Sequence, residues 1–229
     1  MEKSNQDKLF LKKIANLNGI EVDDTQIDQM ATYVDLLLEK NKVVNLISRK
    51  DTEKVWESHI IHSISILFKF SFPKNVTILD LGTGGGLPGI PVKILRPDID
   101  LTLVDSIKKK IDAINEFVQK LRLLRTKAIW SRAEDLGKEH LNHYDIVISR
   151  AVAPLKDLIK WSYPLIKKGG TSTLSSVLIA LKGGDLEKEI KQAKLYGKYK
   201  EIDVKDLIIA GIDTTVLEDK KIVVVRFSV

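Results

Sequence analysis

The chain has 229 residues, of which 44% are hydrophobic and 30% charged, proportions that fit a soluble globular protein and exclude a disordered chain or a fibrous repeat. At about 150 residues per domain, there is room for one sizeable core and a small extension. Cysteine is absent, which excludes disulfides, Cys-ligated zinc or iron–sulfur centres and catalysis by a thiol nucleophile.

The N-terminus, MEKSNQDKLFLKK, is too charged for a signal peptide, and no run approaches the roughly 20 apolar residues of a membrane span. A cytoplasmic location with no membrane partner is the expectation. Up to residue 70 the apolar positions recur every three to four residues, at Leu9, Phe10, Ile14 and Leu17, then at Ile27, Met30, Val34, Leu37 and Leu38. This spacing predicts two helices, broken at Asn18-Gly19. A third is predicted to start after Asp51, with Thr52 and Glu53 in its first turn, and to carry Val55, Ile60, Ile64 and Leu67 before Pro73. Residues 1–73 therefore read as a helical N-terminal cap.

From Val76 the pattern changes to short β-rich runs, VTILDL, DLTLVD, TKAIW, YDIVIS, VLIAL and KIVVVRF. They alternate with helical stretches near 89–95, 108–121, 155–166 and 186–195. Such alternation predicts an α/β fold, a doubly wound and mostly parallel Rossmann-like sheet over residues 74–229, forming one compact unit.

The stretch Ile78 to Pro91, ILDLGTGGGLPGIP, runs from a predicted strand through Gly82, Gly84, Gly85, Gly86 and Gly89 into a helix. Glycines at such a turn let the backbone approach a ligand closely. Gly84, Gly86 and Gly89 satisfy the dinucleotide pattern G-x-G-x-x-G, and Asp105 follows Gly84 by 21 positions, so a nicotinamide cofactor and an oxidoreductase are one reading. S-adenosyl-L-methionine is favoured by Asp80, two residues before the first glycine, and by Pro88 near the helix start. A carboxylate there suits a positively charged methionine end and would repel a pyrophosphate. Asp105 serves either cofactor at its ribose. SRAED places Ala133 and Glu134 at a third strand end on the same edge, although Glu134 and Asp135 also suit a helix N-terminus.

These pieces, in order, resemble the glucose-inhibited division protein B family of methyltransferases: VNLISRKD (Val44 to Asp51), SHIIHS around His59, LDLGTGGGLPGIP, LVDSIKKK, SRAED, ISRAVA (Ile148 to Ala153) and ALKGG (Ala180 to Gly184). The resemblance implies a class I S-adenosylmethionine-dependent enzyme that methylates N7 of a guanine in small-subunit ribosomal RNA. It also implies cofactor contacts by Gly82, Leu87, Ala133, Glu134 and Arg150, with Asp105 at the ribose. Three features depart from the family pattern. Gly85 stands where a proline is expected, SIKKK replaces a segment ending in Lys-Arg, and TSTLSSV before ALKGG is longer than usual.

Cytosine C5 methylation generally needs a cysteine, and amine methylation an Asn/Asp-Pro-Pro-aromatic motif where this chain reads Ser149-Arg150-Ala151. Guanine N7 has no proton to lose, so in-line attack needs alignment and no general base. Arg132 is the candidate for guanine or RNA contact and Arg150 for the cofactor pocket.

From Ser106 to Arg132 there are eight basic residues and two acidic ones. With RNA as partner, Lys108, Lys109 and Lys110 become candidate phosphate contacts. Lys182, Lys220 and Lys221 could extend that surface, and Asn45 and Arg49 stand either at the cofactor mouth or in a loop-and-cap role. His59 with His62, and His140 with His143, lack the Glu and third ligand of a zinc motif, so no metal is expected and packing or surface roles are. Trp56, Trp130 and Trp161 are candidate base-stacking groups or core residues. The resulting expectation is a monomeric RNA methyltransferase. Its rivals are an NAD(P)-dependent oxidoreductase and an RNA-binding module with an inactive methyltransferase pocket.

Overall fold

Short runs rich in Ile, Leu and Val can bury both faces only inside a sheet covered on both sides. The computed structural model, which describes residues 2–169, 174 and 176–228, builds them into seven strands. In chain order these are β1 (Thr77–Leu81), β2 (Asp100–Asp105), β3 (Thr126–Trp130), β4 (Ile146–Arg150), β5 (Val177–Gly183), β6 (Glu201–Asp206) and β7 (Lys220–Arg226). Their spatial order is β3-β2-β1-β4-β5-β7-β6. The first five run parallel, and β7 is antiparallel to both β5 and β6. The chain leaves β1 toward β2 and β3, then returns to β4 on the other side. That reversal opens a crevice at the C-terminal ends of β1 and β4.

The helices are α1 (Glu2–Leu17), α2 (Asp24–Asn41), α3 (His62–Lys69), α4 (Gly89–Leu95), α5 (Lys108–Lys120), α6 (Leu155–Ser162) and α7 (Glu187–Tyr196). A capping box starts α2: the Gln26 amide donates to Asp23 Oδ1 at 2.8 Å, and the Asp23 amide to Gln26 Oε1 at 3.1 Å. Its buried stripe of Ile27, Met30, Tyr33, Val34 and Leu37 follows the helical period.

Strand alternation sorts the core onto two faces. Ile78, Leu101, Leu103, Ile146 and Ile148 join one apolar cluster with α1–α5, while Leu79, Val104, Val147 and Leu178 join another with α6 and α7. The N-terminal helices therefore share a continuous core with the sheet. Replacing fully buried Leu37 by Ala removes a contact beneath the glycine loop as well as core volume, at a cost of ~2–5 kcal/mol.

Three expectations are corrected. The third N-terminal helix is divided into a 3-10 turn (Arg49–Lys54), a π turn (Trp56–Ile61) and α3. The helix after β4 ends at Ser162 because Pro164 has no amide to continue it. Strand β6, EIDVKD, was absent from the predicted set; it is an edge strand with its ends exposed. Most of the TSTLSSV insertion lies outside the described residues. Among the described residues, no helix is long and apolar enough to cross a membrane.

Candidate active site

The chain reaches the crevice from β1, and the glycine loop turns there. Gly82, Gly84 and Gly86 have φ of +73°, +58° and +95°, a left-handed region costly to any residue with a Cβ. Gly89 is required by close approach, since a Cβ there would lie 2.6 Å from Asp80 Oδ2. The loop is also held from outside the sheet, where the buried Tyr33 hydroxyl on α2 donates to the Gly85 carbonyl at 2.8 Å.

Two cavities open at these strand ends. The larger, about 770 Å³, is bounded by the loop, by His59, His62 and Arg150, and by Lys110 and Lys182. The smaller, about 280 Å³, is bounded by Asp105, Ser106, Arg132, Ala133, Glu134 and Trp161 among others. Gly82 and Val152 line both. Val152 lies so close over Gly82 that a Cβ on the glycine would come within 2.5 Å of its methyl groups. Only a glycine fits at this neck.

The two aspartates of the motif are treated oppositely. Asp105 sits at the mouth, 7% exposed. Its Oδ2 accepts from the Gly84 amide at 3.0 Å and its Oδ1 from the Ile107 amide at 2.9 Å. Each oxygen has a second acceptor site, so a diol can still be bound. Asp80, expected at the methionine end of a cofactor, is fully buried and lines neither cavity. Its Oδ2 accepts from Thr83 Oγ1 at 2.7 Å and from the Gly89 amide at 2.9 Å, and its Oδ1 has no hydrogen-bond partner. Burial pushes its pKa up to about 7 against these hydrogen bonds. Asp80 braces the loop from beneath.

Arg150, the last residue of β4, points toward the N-terminal helices and lines the larger cavity. Its Nη1 donates to His59 Nδ1 at 2.9 Å and to the Ser58 carbonyl at 3.3 Å, and among the described residues no carboxylate lies within ion-pair distance. Because His59 accepts at Nδ1, its proton is on Nε2, which lies 3.7 Å from Asp51 Oδ2. Burial, reinforced by the Arg150 charge, holds His59 at a pKa of about 4 and His62 at about 3, so both are neutral. Arg150 thus reaches the cavity with donors to spare.

The expected RNA contacts separate. Lys108 is exposed and paired with Asp112 Oδ1 and Oδ2 at 3.1 Å. Lys110 is partly buried, 4.0 Å from Asp105 Oδ2. Lys109 and Arg132 are exposed, without an ion pair among the described residues. Lys182 departs from the expectation of a surface phosphate contact. Its ammonium is held by the Ala153 carbonyl at 2.6 Å and by Glu189, which also accepts from the Leu155 amide, so it fastens the loop after β4. Asn45 and Arg49 are exposed and line neither cavity, whereas neighbouring Ser48 and Asp51 line the larger one.

Tyr33, Ser58 and Val152 are absent from the residues singled out by sequence, which reads His59 and His62 as packing or surface residues, while Trp161, a candidate for stacking or core, lines the smaller cavity. A buried tyrosine on an amphipathic helix was the only available signal for the first. His140 is buried with Nδ1 2.7 Å from the Tyr144 hydroxyl. Among the described residues, no group of three or more His, Cys, Asp or Glu is arranged around a metal position.

A family model described as rRNA small subunit methyltransferase G matches residues 26–212. A ribosomal RNA small subunit methyltransferase G from Chlorobium luteolum is 42% identical over 193 residues, 84% of this chain and 77% of that protein. Among solved structures, an S-adenosyl-L-methionine-dependent methyltransferase assignment from Methanococcus maripaludis aligns with a TM-score of 0.59 at 12% identity, covering 86% of this chain and 92% of that one. TYW2 from M. jannaschii, in complex with AdoMet, aligns with a TM-score of 0.53 at 16% identity, covering 79% and 76%. The last two bear on fold alone.

Proposed function

The chain belongs to the rRNA small subunit methyltransferase G family, and from that premise we propose that it transfers a methyl group from S-adenosyl-L-methionine to N7 of a guanine in small-subunit ribosomal RNA. The observation that carries this reading is the pair of cavities meeting at Gly82 and Val152 over the glycine loop. The larger falls within the usual range of ligand pockets, roughly 300–1,000 Å³, and the smaller adjoins it at about 280 Å³. When bound, S-adenosylmethionine supplies an electrophilic methyl group on a sulfonium.

Asp105 would hold the ribose hydroxyls, Ala133 and Glu134 the adenine side, and Gly82, Gly84, Gly86 and Leu87 the methionine side. Arg150 would orient either the methionine carboxylate or the guanine, with N–H donors to spare after its bonds to His59 and the Ser58 carbonyl. N7 attacks with its own lone pair, so the chain's task is alignment and exclusion of water rather than proton removal. His59 and His62, held far below the ordinary imidazole pKa by burial, would be weak bases, in keeping with a reaction that needs none.

Arg132, Lys108, Lys109, Lys110 and Arg49 would contact phosphates, most directly Lys109 and Arg132. Residues 1–73 would act as a cap on the methyltransferase unit at 74–229, with Tyr33 as the tie between them. The chain would act as a monomer, and a ribosomal RNA substrate supports a cytoplasmic location. The nicotinamide alternative has no support among the relatives, which are methyltransferases. Calorimetry tests the cofactor directly: S-adenosylmethionine should bind at micromolar concentration and NAD should not. Binding of NAD alone would overturn the reading.

A further inference from the structure

The three tryptophans have different fates. Trp56 is buried in the core, Trp161 is half-buried against the smaller cavity, and Trp130 is 59% exposed. An indole offers a large apolar area, which folding ordinarily removes from water. Trp130 keeps most of it in solvent.

Its setting explains how the ring is held. Trp130 ends β3, one of the two edge strands of the sheet, and strand alternation puts it on the same face as Ala128, the face covered by α5. The indole Nε1 donates to the Ser106 carbonyl at 3.0 Å. Its polar group is therefore satisfied by the protein, and the ring is fixed beside the start of α5. Ile107, next in the chain, is 48% exposed. Lys109 stands in the first turn of α5, three residues after Ser106, and Arg132 two residues after Trp130, both exposed and without an ion pair among the described residues. Ser106 and Arg132 line the smaller cavity, but Trp130 does not.

We propose that Trp130 is a stacking platform for an unpaired RNA base outside the catalytic cleft, with Lys109 and Arg132 holding the adjoining phosphates. This rests on the reading of RNA as substrate. A fixed π face at the same sheet edge as two exposed cations without an ion pair among the described residues matches the two requirements of single-strand binding, stacking and phosphate contact, and needs no base-specific hydrogen bond. The local charge favours a polyanion over a protein surface. The platform would hold a nucleotide that is not itself methylated, and so align the strand that carries the target.

The test compares Trp130→Ala, Trp130→Leu and Trp130→Phe with the wild type. Binding is measured to unmethylated small ribosomal subunits and to a single-stranded oligoribonucleotide, with S-adenosylmethionine affinity and thermal midpoint as controls. Alanine and leucine should weaken binding to both RNAs about tenfold, while phenylalanine, which retains a π face, should stay within about threefold of wild type. Cofactor affinity should not change. Oligoribonucleotide binding should quench the fluorescence of the wild type and leave that of Trp130→Phe largely unquenched.

Wild-type affinity in Trp130→Leu would overturn stacking in favour of a merely apolar contact. A loss seen with subunits but not with the oligoribonucleotide would reassign the residue to a ribosomal protein contact. Weakened cofactor binding would reassign it to the smaller cavity. If the wild type bound no RNA at all, both this proposal and the substrate reading would fall, whereas intact wild-type binding with unaffected variants removes the platform alone.

Discussion

The wall of the larger cavity around Arg150 and the outer edge formed by β3 and α5 both carry positive charge, but they use it differently. At the cavity wall one guanidinium is held by a neutral histidine and a backbone carbonyl, with no carboxylate in ion-pair range among the described residues. At the edge, lysines and arginines are exposed. Several are already paired, Lys108 with Asp112, Lys120 with Glu116 and Arg125 with Asp100. A buried donor acts at short range and is little screened by salt, whereas exposed charges act collectively and fade as salt rises. The cavity can therefore select and align, and the edge can recruit.

The largest effect should follow from breaking the cavity side. Arg150→Ala should lower single-turnover kcat/KM on the order of a hundredfold, comparable to losing an oriented donor in an active site. Arg150→Lys should recover little, because an ammonium cannot reproduce the guanidinium fork. Near-normal rates in Arg150→Ala would move Arg150 out of the reaction. Asp105→Ala should weaken S-adenosylmethionine binding at least tenfold, about 1.4 kcal/mol, as read by calorimetry. Unchanged affinity would show that Asp105 only supports the loop.

Protonation sharpens the contrast, because the cavity wall and the support beneath the glycine loop contain groups whose ionisation burial suppresses. His59 and His62, depressed to about 4 and 3 from 6.5, are neutral in the fold but protonated in the unfolded chain below pH 6.5. Their contribution is present above pH 6.5 and is lost as pH falls through the folded values. Asp80, raised to about 7, behaves oppositely, and its contribution is lost as pH rises from about 4 to 7. Between about pH 4 and 6.5 these three groups together favour stability rising with pH by one proton, about 1.4 kcal/mol per unit. Asp80→Asn should steepen that dependence and His62→Gln should flatten it, as measured by denaturant titration across the range. The same slope in all three proteins would contradict the burial argument.

Tyr33→Phe should cost about 1 kcal/mol of stability, the net worth of a hydrogen bond, with a matching loss of cofactor affinity. Loss of stability alone would confine Tyr33 to the core. On the edge, Lys109→Ala and Arg132→Ala should each reduce the salt slope of RNA binding by about one. Lys108→Ala should reduce it less, because Asp112 already partners that lysine. Equal slopes in all three variants would erase the distinction between paired and unpaired cations.

How much of this was legible depends on range along the chain. The glycine loop, Asp105 and the turn at Ala133 and Glu134 belong to one strand-end edge, and their spacing follows from βα units, so sequence could bring them together. Strand β6 does alternate, Glu201-Ile202-Asp203-Val204-Lys205, but with only two apolar residues it lacks the continuous β-rich run that marks the other strands. The positions of Tyr33 and His59 depend on how α2 and the π turn dock on a sheet far away in sequence, and no local pattern encodes that. Asp80 was placed beside the ligand by its distance from the first glycine. Alternation along β1 instead turns it toward the α4 face, under Gly89. Lys182 resembled a free surface cation until α7 brought Glu189 against it.

The central claim is methyl transfer to a ring nitrogen of guanine by alignment at this cleft. Its most direct test is incubation of the purified protein with labelled S-adenosylmethionine and unmethylated small ribosomal subunits, followed by nucleoside analysis of the RNA. Label in 7-methylguanosine, lost in Arg150→Ala, is the predicted result. Label in any other nucleoside, or none despite demonstrated cofactor binding, would contradict it.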